Sequence, residues 1–229
     1  MLNNGKIENK QKQEIFSHIT DGIWNYQEQL VFLSSTKNII LLVEGKHDKI
    51  HIEEAFKRLK NNYQTLNFEI FSTDGATNLK QLVVGFATSD YDFEHKKVIA
   101  IFDDDQEGKK GLSRENFEPI AQNNLINKLK SNNKFYGFLL PKQSGFTSEC
   151  TIENMYTSDK YQMALNQVLE RRMQTPTFFN NKSIDNISKA IKDDAKNQLA
   201  NNCKEFVPED FEHFKELFNL IKEIQGLPL

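Results

Sequence analysis

Two short stretches of the 229-residue chain gather carboxylates directly behind apolar runs: VEGKHDK at 43–49 and FDDDQEG at 102–108. Glu44 and Asp48 are four residues apart, a spacing that leaves the two side chains about 5–6 Å apart at Cβ in a helical turn. In an extended segment Asp103 and Asp105 point to one side and Asp104 to the other, and Gly108 allows the backbone to turn tightly into the next segment. Four carboxylates converging on one point repel one another, and burying them unpaired is expensive. A divalent cation removes that conflict. Oxygen donors without a convincing His or Cys partner favour Mg²⁺ or Mn²⁺ over zinc, and Mg²⁺ held by carboxylates is characteristic of sites that handle phosphates.

The residues around the acids are consistent with such a site. Lys46, Lys49, Lys109, Lys110 and Arg114 flank the two clusters and read as phosphate-positioning groups, which set register without reading sequence. Arg171 and Arg172 extend that surface in the same reading. His47 and His51 lie four apart on one helix, but with no third ligand for zinc they read as surface or rim histidines. Cys150 and Cys203, far apart and without CxxC partners, read as free thiols. A net charge of −3 is not the usual footprint of a nucleic-acid binder. Acids concentrated at a bound cation offset that objection, because the ion reverses the local sign.

The elements that must position these residues emerge from periodicity. Residues 12–34 carry Ile15, Ile19, Ile23, Tyr26, Leu30 and Leu33 at helical spacing. The apolar run at 38–43 predicts a strand buried on both faces. A helix through 48–60, a strand at 68–73 and a helix capped by Thr77 come next. A third strand spans 97–102, then come a loop, a helix near 116–131 and a fourth strand at 134–141. Alternating strands and helices predict an α/β fold, a parallel sheet of about four strands with crossover helices. Ligands of such sheets sit beyond the carboxyl ends of the strands, where both acidic clusters fall. Helices are expected over 158–173, 183–201 and 208–224, the last with Pro208 in its first turn. The Asn pairs at 61–62, 123–124, 132–133, 180–181 and 201–202 read as loops. The expected organisation is an N-terminal helical extension (1–36), an α/β catalytic core (37–155) and a C-terminal helical region packed on it (156–229). The longest apolar run, IILLV, is far shorter than the roughly 20 residues of a bilayer span, and the first residues lack a signal-peptide core. The expected location is cytoplasmic.

A Glu-Gly after the first strand, with D-x-D-x-x-G two strands later, resembles the Toprim domain shared by type IA and II topoisomerases, DnaG-type primases, RecR proteins and OLD-family nucleases. Glu44-Gly45 and Asp103, Asp105 and Gly108 match it, and the resemblance covers roughly residues 37–155. LVEGKHDK, with its second acid at Asp48, is most similar to the OLD-family and stand-alone Toprim nucleases. Such nucleases place S-x-E after the fourth strand, matched here by Thr151 and Glu153 with Thr for Ser, and a lysine in the later helices, for which Lys196 and Lys192 are the candidates. The resemblance implies metal-dependent phosphodiester cleavage. Glu44, Asp48, Asp103 and Asp105 would hold one Mg²⁺ or Mn²⁺, Glu153 would serve a second, and Lys196 would steady phosphate charge. Glu44 can instead act as general base through a metal-bound water. Lys46, Lys109, Lys110, Arg114 and Thr151 would contact substrate.

The resemblance also implies a nucleic-acid partner, DNA or RNA, and an effector role in phage defence. Without a G-x4-GK[ST] of its own, the chain would be controlled by an ABC- or AAA-type ATPase partner. A homo-oligomer is left open. A topoisomerase or primase would need additional domains. The alternative is a non-catalytic Toprim scaffold that binds nucleic acid or a partner protein, although the chain keeps every acid catalysis requires. A receiver-like phosphoacceptor fits less well, because the first strand ends in Glu-Gly and the third in D-x-D.

Overall fold

The computed structural model of the chain describes residues 11, 13–89, 93, 95–143, 148–175, 178 and 182–228. Strand β1 (Ile39–Val43) is buried at all five positions, and a strand apolar on both faces must lie inside a sheet covered on both sides. It does so between two parallel neighbours, β2 (Phe68–Ser72) and β3 (Lys97–Phe102). Alternation sorts the core. Ile39, Leu41, Val43, Ile99 and Ile101 face one layer, with Phe214, Phe218 and Ile221 packed into it. Ile40, Leu42, Val98, Ala100 and Phe102 face the other, with Phe16, Phe32, Leu82 and Phe86.

The expected helix over 12–34 divides in two. A helix over residues 13–20, α1, ends before Gly22 at φ 75°, and α2 (Tyr26–Ser34) restarts after Asn25. Asn25 accepts from the Glu28 N–H at 3.0 Å while the Glu28 carboxylate accepts from the Asn25 N–H at 2.8 Å, a capping box that specifies a new start. The crossovers are helical. Helix α3 (Lys46–Leu59) joins β1 to β2 and buries Ile52, Ala55 and Leu59. Helix α4 (Ala76–Thr88) joins β2 to β3. Thr77 is not its cap but lies within its first turn; the N-cap is Gly75, whose φ of 113° suits a residue without Cβ.

The helix expected near 116–131 is replaced by two short strands. After a six-residue helix, α5 (Gln106–Gly111), the chain forms β4 (Phe117–Pro119) and β5 (Asn127–Leu129), which returns antiparallel to β6 (Asn132–Leu139). Buried Phe117 pairs with buried Leu129 across the hairpin, a contact that outweighs the weak helical spacing of this segment. The sheet therefore has six strands in the order β2-β1-β3-β6-β5-β4, joined by three parallel and two antiparallel pairings, with β5 alone running opposite to the rest. The Asn pair at 132–133 opens β6, the pair at 201–202 ends a helix, and the pair at 61–62 lies in a 3₁₀ turn. The pair at 123–124 does lie in a loop, and the pair at 180–181 is outside the described residues.

Beyond the sheet, α6 (Ser158–Met173) and α7 (Ile184–Asn202) pack against each other. Pro208 opens a 3₁₀ turn, Pro208–Phe211, ahead of α8 (Phe214–Gly226). Helix α8 buries Phe214, Leu217, Phe218, Leu220, Ile221 and Ile224. Its carboxyl end is held by buried Lys97, whose Nζ donates to the carbonyls of Ile224 (2.8 Å), Gln225 (3.0 Å) and Leu227. Among the described residues no helix is long and apolar enough to cross a membrane.

Candidate metal centre at the carboxyl ends of the strands

The parallel register sets Val43 opposite Ile101, so β1 and β3 release their chains side by side. Glu44 uses that proximity: its Oε1 accepts from the Asp103 N–H at 2.9 Å. Asp48, in the first turn of α3, folds back so that its Oδ2 accepts from the Gly45 N–H at 2.7 Å. Asp105 caps α5, with Oδ1 accepting from the Gly108 N–H at 2.8 Å. The glycine of D-x-D-x-x-G has a different role from the one its type suggests. Gly108 has no positive φ, but a Cβ there would stand 1.9 Å from the Asp103 carbonyl oxygen. Close approach, not a turn, excludes a side chain.

Asp104 turns away from the other acids. Its carboxylate pairs with Lys109 and Lys142, each at 2.8 Å, and its backbone exchanges two hydrogen bonds with Cys150, at 2.8 and 3.1 Å. That bridge delivers the next segment to the site. Thr151 precedes a 3₁₀ turn, Ile152–Met155, and its hydroxyl donates to Glu153 Oε2 at 2.5 Å. From α7, Lys196 Nζ reaches Glu153 Oε1 at 3.2 Å. Thr151, Glu153 and Lys196 border a groove of about 750 Å³ with Gln143 and Tyr161.

Burial and mutual repulsion shape the charges. Burial, then the charges of Asp48, Glu44 and Glu153, push the Asp103 carboxyl up to about 9. Burial likewise pushes Asp48 up to about 7, against the Gly45 N–H and reinforced by Glu153 and Glu44, and it raises Glu44. Glu153 goes the other way: burial works to raise it, but Lys196 and the Thr151 hydroxyl hold it below the usual carboxylate range. Desolvation works to lower Lys196, but the Glu153 carboxylate raises it above the usual lysine range. Glu44, Asp48, Asp103, Glu153 and Lys196 therefore share one electrostatic neighbourhood, and Asp105 acts on it through Glu44.

The other expected contacts are distributed around this centre. Lys46 lies at the start of α3. Lys109 is engaged by Asp104, and Lys110 pairs with Glu107 at 2.6 Å. Arg114, with Lys109 and Lys142, borders a second groove of about 690 Å³. Lys192 lies on α7 one helical turn before Lys196. His47 is 2.9 Å from Asn197 Oδ1 at the surface. His51 is not at the surface: it is fully buried, with Nδ1 2.9 Å from the Tyr156 hydroxyl, because its face of α3 packs under the 3₁₀ turn. Arg172 pairs with Asp194 and lies over Phe178, a packing role, while Arg171 reaches Gln198. Both cysteines are free and buried. Two residues that no motif marks also enter: Lys142, which pairs with Asp104, and Asn154, whose Oδ1 accepts from the Thr151 N–H at 2.9 Å. Only the fold brings them in.

Among the described residues no three acids, histidines or cysteines stand close enough to hold a metal ion as placed. Glu44, Asp48 and Asp105 each turn an oxygen to a backbone N–H, and Glu153 turns to Lys196. The chemistry of the donor set nevertheless fits a hard divalent cation: the donors are oxygens, and a cation would favour the ionised form of Asp48 and Asp103, whose carboxyls burial and neighbouring acids raise.

Residues 37–105 match the family described as "Overcoming lysogenization defect protein-like, TOPRIM domain". The matched stretch contains Glu44, Asp48, Asp103 and Asp105 and stops short of Gly108, Glu153 and Lys196. The chain matches no curated protein and no solved structure. Toprim domains bind divalent metals and are typically nuclease or primase domains. The mixed α/β sheet agrees with that match, and residues 37–105 are similar to the Toprim domain of the OLD family.

Proposed function

We propose that the protein is a Mg²⁺- or Mn²⁺-dependent nuclease that hydrolyses phosphodiester bonds of DNA or RNA. The observation that carries this reading is the grouping of Glu44, Asp48 and Asp103 at the exits of β1 and β3 with the Glu153–Lys196 pair beside them. Glu44, Asp48, Asp103 and Asp105 would hold one ion and Glu153 a second. When bound, such ions polarise the phosphate and lower the pKa of a coordinated water. The chain's own residues do the rest. In the alternative role of Glu44 as general base, burial raises its carboxyl above the usual carboxylate range and so strengthens it as a proton acceptor. Thr151 orients Glu153, and Lys196 supplies a fixed positive charge for the phosphate. Lys46, Lys109, Lys110 and Arg114 offer contacts that position a backbone of any sequence.

The resemblance to the OLD family further supports a cytoplasmic effector in phage defence, controlled by a partner ATPase. The test is cleavage of plasmid, linear duplex, single strands and tRNA with Mg²⁺, Mn²⁺ or EDTA. Metal-dependent cutting by the wild type, lost in both Asp103→Ala and Glu44→Ala, is the expected result. Cutting that survives both substitutions, or a wild type that neither cuts nor binds Mn²⁺ calorimetrically, would refute it.

A further inference from the structure

Asp104, the middle acid of the D-x-D run, has no place in the metal chemistry, yet it is among the few buried charged residues. Its surroundings explain why. The parallel pairing of β3 with β6 ends at Phe102 and Leu139, with a last bond from the Leu140 N–H to the Phe102 carbonyl at 2.8 Å. Beyond that point the two chains part, and an isolated antiparallel bridge between Asp104 and Cys150 brings the Glu153 segment back to β3. Two backbone hydrogen bonds alone are a weak tether at the end of a sheet. The Asp104 carboxylate reinforces it by pairing with Lys142, just beyond β6, and with Lys109, on α5. Burial works to raise this carboxyl, but the hydrogen bonds from Lys109 and Lys142 hold it below the usual range, so it stays ionised as their common partner.

We propose that Asp104 is a positioning residue: with Lys109 and Lys142 it clamps three segments together and so sets the separation between Asp103 on one side and Glu153 on the other. The proposal rests on the nuclease reading for its function, but the clamp itself does not. Asp103 precedes Asp104 and points the opposite way, so any twist of the backbone that lets Asp104 leave its lysines swings Asp103 as well. Glu153 lies three residues beyond Cys150, in the 3₁₀ turn that the bridge anchors. An outer partner that orients a ligand typically changes metal affinity about 10–100-fold when removed.

The experiment uses the full chain and two readouts: Mn²⁺ binding by calorimetry and hydrogen exchange at the Cys150 amide, which donates to Asp104. Asp104→Asn and the double variant Lys109→Met/Lys142→Met, which approach the clamp from opposite charges, should each speed that exchange about tenfold and weaken Mn²⁺ binding about tenfold. Lys142→Met alone should weaken binding and Lys142→Arg recover it. Exchange and affinity both within about twofold of wild type would overturn the clamp, and faster exchange at unchanged affinity would overturn its positioning role. A wild type that binds no Mn²⁺ would overturn the positioning role together with the nuclease reading, and faster exchange in Asp104→Asn would then locate the failure in that reading rather than in the clamp.

Discussion

Gly108→Ala is the sharpest single-atom perturbation the structure offers. The new Cβ would stand 1.9 Å from the Asp103 carbonyl oxygen, 3.0 Å from its carbon and 3.2 Å from Phe102 Cβ. The first two are backbone, so no side-chain rotation relieves them. Restoring an ordinary contact of 3.4 Å moves the Asp103 carbonyl or α5 by about 1.5 Å. Overpacking of this kind costs about 1–3 kcal/mol, and more where the backbone itself must shift. At this chain length about 2–3 kcal/mol lowers Tm by roughly 4–12 °C. The effect on the site should be larger than on the fold. A displacement of about 1 Å can cost roughly 100-fold where geometry is exacting, so Mn²⁺ affinity should fall by at least that factor. Gly226→Ala is the control: nothing lies within 4 Å of its added Cβ at the end of α8, and it should be neutral or stabilise by up to about 1 kcal/mol. Thermal melts and calorimetry on both variants decide the matter. A Gly108→Ala protein that melts within about 1 °C of wild type and binds Mn²⁺ within about twofold would refute the close-approach reasoning.

Lys97→Met removes the donor that serves the Ile224, Gln225 and Leu227 carbonyls and should cost about 2 kcal/mol in denaturant unfolding, with Mn²⁺ affinity unchanged. Asp103→Asn should abolish Mn²⁺ binding yet raise the Tm of the metal-free protein at neutral pH, because burial among acids makes this carboxyl unfavourable in the folded state. His51 sets an acid limit. Burial lowers it to about 4 from an unfolded value of 6.5, so the unfolded chain takes up the proton first. The stability contributed by neutral His51 is present above pH 6.5 and lost as pH falls towards 4, by up to about 3 kcal/mol. Comparing the wild type with His51→Gln in denaturant titrations between neutral pH and the acid limit checks it: the steeper loss should belong to the wild type.

What can be read from residues alone divides along a physical line. β1 and β3 are legible because an unbroken apolar run has only one place to go in a sheet covered on both faces. The acids at 44 and 103 come with them, since the end of each strand is the end of its run. The β4–β5 hairpin is not legible: each strand has three residues, too short for any period to declare itself, and its stability comes from pairing with β6. The break at Gly22 is hidden because the apolar stripe continues through it, although Asn25 and Glu28 at capping-box spacing mark a restart. His51 reads as a rim residue because the 3₁₀ turn that covers it lies about a hundred residues away. Lys142 is invisible in the sequence for the same reason.

Trp24 has a consequence at the margin of the sheet. The Thr73 N–H turns inward to Val43, so the carbonyl of the preceding Ser72 points outward from β2, the terminal strand on that side. An unpaired acceptor there invites strand addition from another molecule. The Trp24 indole N–H occupies it at 2.8 Å, while the ring packs against Phe71 and Phe32. On the opposite side β4 is three residues long and ends in Pro119, which has no N–H to offer. Trp24 thus closes one acceptor at one margin of the sheet, and Pro119 leaves one donor fewer at the other.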